Sequence, residues 1–171
     1  NKRNGNPAIK TGQDKLALIQ AVNDDVIDII ATDHAPHTWE EKQLPFHLAP
    51  AGLPLVQHAL PSLLEQVHQG HFTLEKVVEK VCHNPAIRYG VVDRGYIKEG
   101  YYADLVLVDL QQKTQVASEP LHYLCQWTPF KNATFNAAIK ATFVNGVQVF
   151  DGRYFSNADS PAKALTFSPI S

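Results

Sequence analysis

The residues with the most chemical capacity stand together at Ala31-Thr32-Asp33-His34-Ala35-Pro36-His37. An Asp closes an apolar run, two histidines follow it, and Pro36 stiffens the turn between them. A carboxylate in such a place can ligate a metal ion and can also move a proton. The bland reading is an Asp that caps the next helix, with histidines on a polar loop. Pattern alone leaves both readings open, because Asp at strand ends is common.

The surrounding pattern says what must position these groups. Val26-Ile27-Asp28-Ile29-Ile30-Ala31-Thr32 is β-branched, short and almost continuously apolar, which predicts a strand buried on both faces. Leu16, Ile19 and Val22 recur at helical spacing just before it, predicting a helix over 14–22. A helix feeding a buried strand is half of a repeated α/β unit, and in an α/β barrel catalytic groups project from the C-terminal ends of such strands. The stretch from Asp33 to Leu53 has no clear period, and long ordered connections are usually functional. A helix is expected over 55–67, with Pro54 at its first turn and Pro61 kinking it or splitting it in two. Gly70 should end it. Thr73 should cap a further helix with a Leu74, Val77, Val78, Val81 stripe, and Asn84-Pro85-Ala86 should start one more turn. Beyond Tyr89 the character becomes all-β. Ala103–Leu110 is a strand candidate, and Asn145-Gly146 between 140–144 and 147–150 is a strong hairpin signal.

Composition narrows the function classes. The 171 residues are 44% hydrophobic and 19% charged, with a formal net charge of -2 and scattered Lys and Arg. That speaks against a nucleic-acid surface. No apolar run reaches the ~20 residues that cross a bilayer, and the polar start from Asn1 to Thr11 carries no signal peptide. Cys82 and Cys125 form no CxxC motif and read as buried reduced thiols, which suits a cytoplasmic protein. The chain contains no Met, so a processed product or a fragment is expected.

Thr32-Asp33-His34-Ala35-Pro36-His37 followed by Glu40-Glu41-Lys42 resembles the dihydroorotase signature within the amidohydrolase superfamily. Asn6-Pro7-Ala8-Ile9-Lys10 resembles the segment upstream of that signature, and Ala51-Gly52-Leu53-Pro54 the loop after it. His83-Asn84-Pro85-Ala86, Gly95-Tyr96-Ile97 and Glu99 to Asp109 resemble the superfamily's C-terminal hallmark. Several independent motifs in register, from about residue 5 to 152, are more specific than one short pattern.

The resemblance implies an α/β fold: the C-terminal part of a (β/α)8 metal-dependent hydrolase barrel plus a small β-sandwich. Residues 1–90 would be the last barrel strands and helices, 91–155 part of the sandwich, and 156–171 an irregular tail. It implies a zinc pair, with Asp33 as metal ligand and catalytic acid/base. Asn6 and His37 would hold the substrate, and the backbone of Ala51 and Gly52 would contact the ring. The reaction implied is the reversible hydrolysis of L-dihydroorotate to N-carbamoyl-L-aspartate in pyrimidine synthesis. A metal-activated water attacks the ring amide, Asp33 moves its proton to the departing nitrogen, and His37 bonds the substrate carboxylate.

Other residues read as structural. His34 should support the loop, while His68 and His71 should cap a solvated helix end. His47 and His58 default to surface or satisfied core positions, and His83 starts a helix away from the metals. Glu40 and Glu41 form a solvated face, and Trp127 and Phe130 pack. The family's His-x-His pair, further His ligands and substrate Arg are not in this sequence. The chain is therefore expected to begin near the seventh or eighth barrel strand and to be inactive alone. Its first partner would be the missing N-terminal part of the same protein; a homodimer is also a candidate. Two alternatives stand beside this reading: a hydantoinase or allantoinase, and a non-catalytic scaffold for aspartate carbamoyltransferase.

Overall fold

The structure, a computed structural model, describes residues 9–156 and 159–169. It begins with helix α1 (Gly12–Asn23), whose start follows from its sequence. The Thr11 hydroxyl accepts from the Asp14 N–H at 3.1 Å, and the Asp14 carboxylate accepts from the Thr11 N–H at 2.8 Å. This reciprocal capping box satisfies two donors that the first turn leaves without helical partners. After α1 the chain turns through Asp25, whose carboxylate accepts from Lys76 and Lys80 at 2.7 Å each. Those two ammonium groups, Lys76 foremost, hold its pKa down at about 2.

The strand expected over 26–32 does not form. Val26 is 75% exposed, and the segment belongs to no sheet among the described residues. A strand exists only through a hydrogen-bonded neighbour. Here the segment is tied instead to the helices: Ile30 donates to the Lys80 carbonyl at 3.1 Å, and Asn84 donates to the Asp28 carbonyl at 2.7 Å. The one parallel bridge nearby joins His34 to Leu53.

Helix α2 (Trp39–Gln43) is capped by Thr38 in a second capping box with Glu41. A 3-10 turn (Val56–His58) leads into α3 (Ala59–His68). Pro61 neither kinks nor divides α3, because α3 starts at Ala59 and places Pro61 in its first turn. There the missing N–H has no helical acceptor to lose. Helix α4 (Leu74–Val78), capped by the Thr73 hydroxyl, continues through a π-type turn (Glu79–His83) into α5 (Asn84–Tyr89). The further turn expected at Asn84-Pro85-Ala86 is thus α5, joined to α4 by a widened turn rather than by a break. The widened turn lies directly ahead of Pro85, whose ring would crowd the Val81 carbonyl in a regular helix.

Strands β1 (Leu105–Asp109), β4 (Ala138–Val144) and β5 (Val147–Phe150) form a three-stranded antiparallel sheet in the order β1-β4-β5. Leu105 lies opposite Phe143, and the register shifts between Leu107 and Val108. The β4–β5 turn is the expected Asn145-Gly146, with φ of 49° and 82°. Positive φ at both central residues matches the twist of the hairpin. Strands β2 (Thr114–Gln115) and β3 (Thr134–Phe135) pair separately.

The core lies between α3 and this β region. It contains Leu64, Val116, Tyr123, Trp127, Phe135, Ala137, Ala138 and Ala141, all buried. Glu65 on α3 locks the two together by accepting from the Asn136 N–H at 2.9 Å and its amide at 3.0 Å. The irregular tail returns to the helices, where the Ser168 N–H donates to the Gly90 carbonyl at 2.8 Å. Among the described residues, no helix is long and apolar enough to cross a membrane.

Candidate active site

Asp33 has φ 46°. The left-handed region is uncommon for residues other than Gly, and Asp tolerates it better than most. The turn lays 33–37 beside 50–55. The His34–Leu53 bridge forms, and the Ala35 N–H donates to the Leu53 carbonyl at 3.1 Å. Asp33 is exposed, and its carboxylate has no ion-pair partner among the described residues.

His34 does the structural work read for it. Its Nδ1 accepts from the Leu55 and Val56 N–H groups at 2.9 and 3.3 Å, and its ring stacks on Tyr123 at 5.6 Å. His37 is held through its backbone. Its N–H donates to the Ala35 carbonyl at 3.0 Å, and its carbonyl accepts the Trp127 indole N–H at 2.7 Å. The ring stays about one-third exposed, with Nδ1 3.6 Å from Glu41. Glu41 is bound chiefly by the Thr38 N–H, which lowers its pKa; His37 adds a smaller effect in the same direction.

Gly52 brings the second loop against this ring. A Cβ there would lie 2.5 Å from Ala35 Cβ and 3.2 Å from His37 Cδ2, and φ is +126°. Only glycine fits that space and that dihedral. The His37 ring and the Gly52 backbone are therefore neighbours, His37 on the turn that follows Asp33 and Gly52 on the loop that pairs with that turn through His34 and Leu53. Ala51 is exposed beside them. Asn6 lies outside the described residues.

These contacts join the Asp33–His37 turn and the 51–52 loop into one unit, and residues 7–149 match the amidohydrolase family. The chain belongs to the amidohydrolase family.

Among curated amidohydrolases, it is 40% identical over 156 residues to the dihydroorotase of Halobacterium salinarum, covering 90% of this chain and 36% of that protein. It is 37% identical over 149 residues to the dihydroorotase of Clostridium acetobutylicum, covering 86% of this chain and 35% of that one. The chain thus spans about one-third of the length of the curated relatives it matches. Its fold resembles a D-hydantoinase (dihydropyrimidinase) from Thermus sp., with a TM-score of 0.89 and 23% identity, over 99% of this chain and 38% of that one. It also resembles an L-hydantoinase from Arthrobacter aurescens, with a TM-score of 0.80 and 25% identity, over 90% and 35% of the two chains. The mixed α/β architecture is accordingly that of an amidohydrolase.

Two residues of this amidohydrolase segment escape a reading by residue type. Lys42 is 1% exposed, and its ammonium donates to the Pro50 and Gly52 carbonyls at 2.7 and 3.0 Å. Burial pushes its pKa below the usual lysine value. Next to Glu40 and Glu41 it looks like part of a solvated charge run, and no spacing signal separates it from them. Trp127 packs as expected but also anchors the His37 carbonyl.

The other histidines stay out of the site. His58 is buried, with Nδ1 3.0 Å from the Tyr123 hydroxyl and Nε2 without a hydrogen-bond partner among the described residues. His71 bonds Gln66 at 2.9 Å, and His83, the last residue of the π-type turn and the N-cap of α5 as expected, stacks on Tyr96 at 4.2 Å. Both cysteines are free; Cys82 is exposed and Cys125 partly exposed, rather than buried as expected. Among the described residues no group of three or more His, Cys, Asp or Glu side chains could hold a metal ion. The exposed Asp33 carboxylate has the chemistry of one oxygen ligand in a larger set.

Proposed function

We propose that the protein containing this chain is a dihydroorotase, opening the ring amide of L-dihydroorotate to give N-carbamoyl-L-aspartate. The observation that carries this reading is the packing of the His37 ring, on the turn that starts at Asp33, against the Gly52 backbone of the following loop. It places a cationic or neutral donor beside a backbone edge that can approach a flat ring. The dihydroorotase relatives add support from the sequence. In this reading residues 1–90 belong to the end of a (β/α)8 barrel, 91–155 to a small β-sandwich and 156–171 to a tail, in a cytoplasmic enzyme. The remaining barrel strands and metal ligands come from other parts of the protein, and a homodimer is a candidate assembly.

Asp33 would serve as one ligand of a zinc pair, which when bound would supply Lewis acidity toward water and the ring carbonyl. Asp33 takes the proton released as water attacks and delivers it to the departing ring nitrogen. His37 donates a charge-assisted hydrogen bond to the substrate carboxylate, Asn6 is a further substrate-binding residue in this reading, and the Ala51–Gly52 backbone aligns the ring.

The discriminating experiment is kcat/KM of the full-length protein and its His37→Ala variant, with metal content checked. A hydrogen bond to a charged group is worth ~1.5–3 kcal/mol, so the loss on dihydroorotate should be roughly 10–150-fold. Activity on uncharged dihydrouracil should barely change. Equal losses on both rings would give His37 a role in the metal site or the fold. A parent that prefers the uncharged ring would move the protein to the hydantoinase branch.

A further inference from the structure

Lys42 poses a physical question that the proposed chemistry leaves open. Lys42 is 1% exposed, among the most buried side chains of the described residues, yet no carboxylate pairs with it among them. An unpaired buried cation is costly unless backbone or side-chain acceptors replace its water. The acceptors here are the Pro50 and Gly52 carbonyls, one on each side of Ala51. Both belong to the loop assigned above to the substrate ring.

The direction of the bond matters. In a trans peptide the C=O and the following N–H point in opposite directions. Pinning the Pro50 carbonyl toward Lys42 therefore turns the Ala51 N–H away from it. That N–H donates to nothing among the described residues. The second bond fixes the Gly52 carbonyl in the same way, so Gly52 keeps the dihedral that lets it lie against Ala35 and His37.

We propose that Lys42 is a positioning residue, which aims the Ala51 N–H and the Gly52 backbone at the substrate ring by holding the carbonyls on either side of Ala51. The proposal rests on the reading of the 51–52 backbone as a ring contact. It assigns Lys42 no contact with substrate or metal.

The test uses the full-length protein and measures kcat, KM, metal content and thermal midpoint. Lys42→Met keeps the buried stem and removes both bonds. It should raise KM for dihydroorotate about tenfold or more, the scale of a lost hydrogen bond to a charged group. Its kcat should stay within about threefold and its metal content should not change, as expected when only binding shared by ground and transition states is lost. Lys80→Met is the control. Lys80 is equally buried, but its ammonium is held by Asp25 and makes no bond to the 50–53 loop. That variant should lower the thermal midpoint and leave KM alone.

If Lys42→Met does not fold, Lys42→Arg carries the test. It keeps charge and donors, but its larger head must displace the two carbonyls, so KM should still rise with kcat retained. A parent-like KM in whichever Lys42 variant folds overturns the proposal. So does a KM rise of equal size in Lys80→Met. A parent inactive on dihydroorotate but active on dihydrouracil would refute the dihydroorotase reading alone, and the same KM comparison on that ring would still decide the role of Lys42.

Discussion

Asp33 offers an unusually clean substitution. Its left-handed backbone would strain most replacements, but Asn tolerates the same region. Asp33→Asn therefore keeps the turn and the size while removing the proton acceptor and weakening a metal ligand. Loss of general acid–base catalysis should cost about 10²–10⁴-fold in kcat of the full-length enzyme. A variant within about twofold of the parent would exclude Asp33 as the acid/base. The residues that carry this chemistry are legible because they are contiguous: Asp33 to His37 announces itself by type and order, and Ala51-Gly52 by its small side chains. The residues that hold them are not. Lys42 acts on backbone carbonyls, which have no sequence signature, and Trp127 reaches the His37 carbonyl from 90 positions away.

At the scale of elements, capping chemistry and apolar stripes located α1, α3 and α4, and Asn-Gly located the β4–β5 hairpin. These signals are local, so one sequence window contains their cause. The strand over 26–32 depends on neighbours outside its own window, and the widened turn before Pro85 depends on how a ring fits a carbonyl. One element contact makes a pH prediction. His58 joins α3 to the β region between Tyr123, Phe130 and Phe135, and burial lowers its pKa below the usual 6.5. Below about pH 6.5 the unfolded chain binds a proton that the folded chain refuses, so stability rises with pH there. The contribution is complete above the unfolded pKa and is lost as pH falls below it toward the folded pKa. The thermal midpoint of the full-length protein should fall between pH 7 and 5, and His58→Phe should flatten that slope. Parallel slopes in parent and variant would show that another group titrates.

For the molecule as a whole, ligand number sets the expectation. Structural and catalytic zinc sites use three or four protein ligands, whereas no group of three or more His, Cys, Asp or Glu side chains comes together among the described residues. Calorimetric titration of the 171-residue chain with zinc should therefore show no tight binding, and no turnover of dihydroorotate should follow. Stoichiometric submicromolar zinc uptake would refute this. The unpaired stretch Val26–Thr32 has a separate consequence for handling the isolated chain. It presents a β-branched run with a single charge, Asp28, outside any sheet. Such a run is a template for intermolecular strand addition, so the segment that leads to Asp33 is also one that can start aggregation, with Asp28 as its single charged gatekeeper.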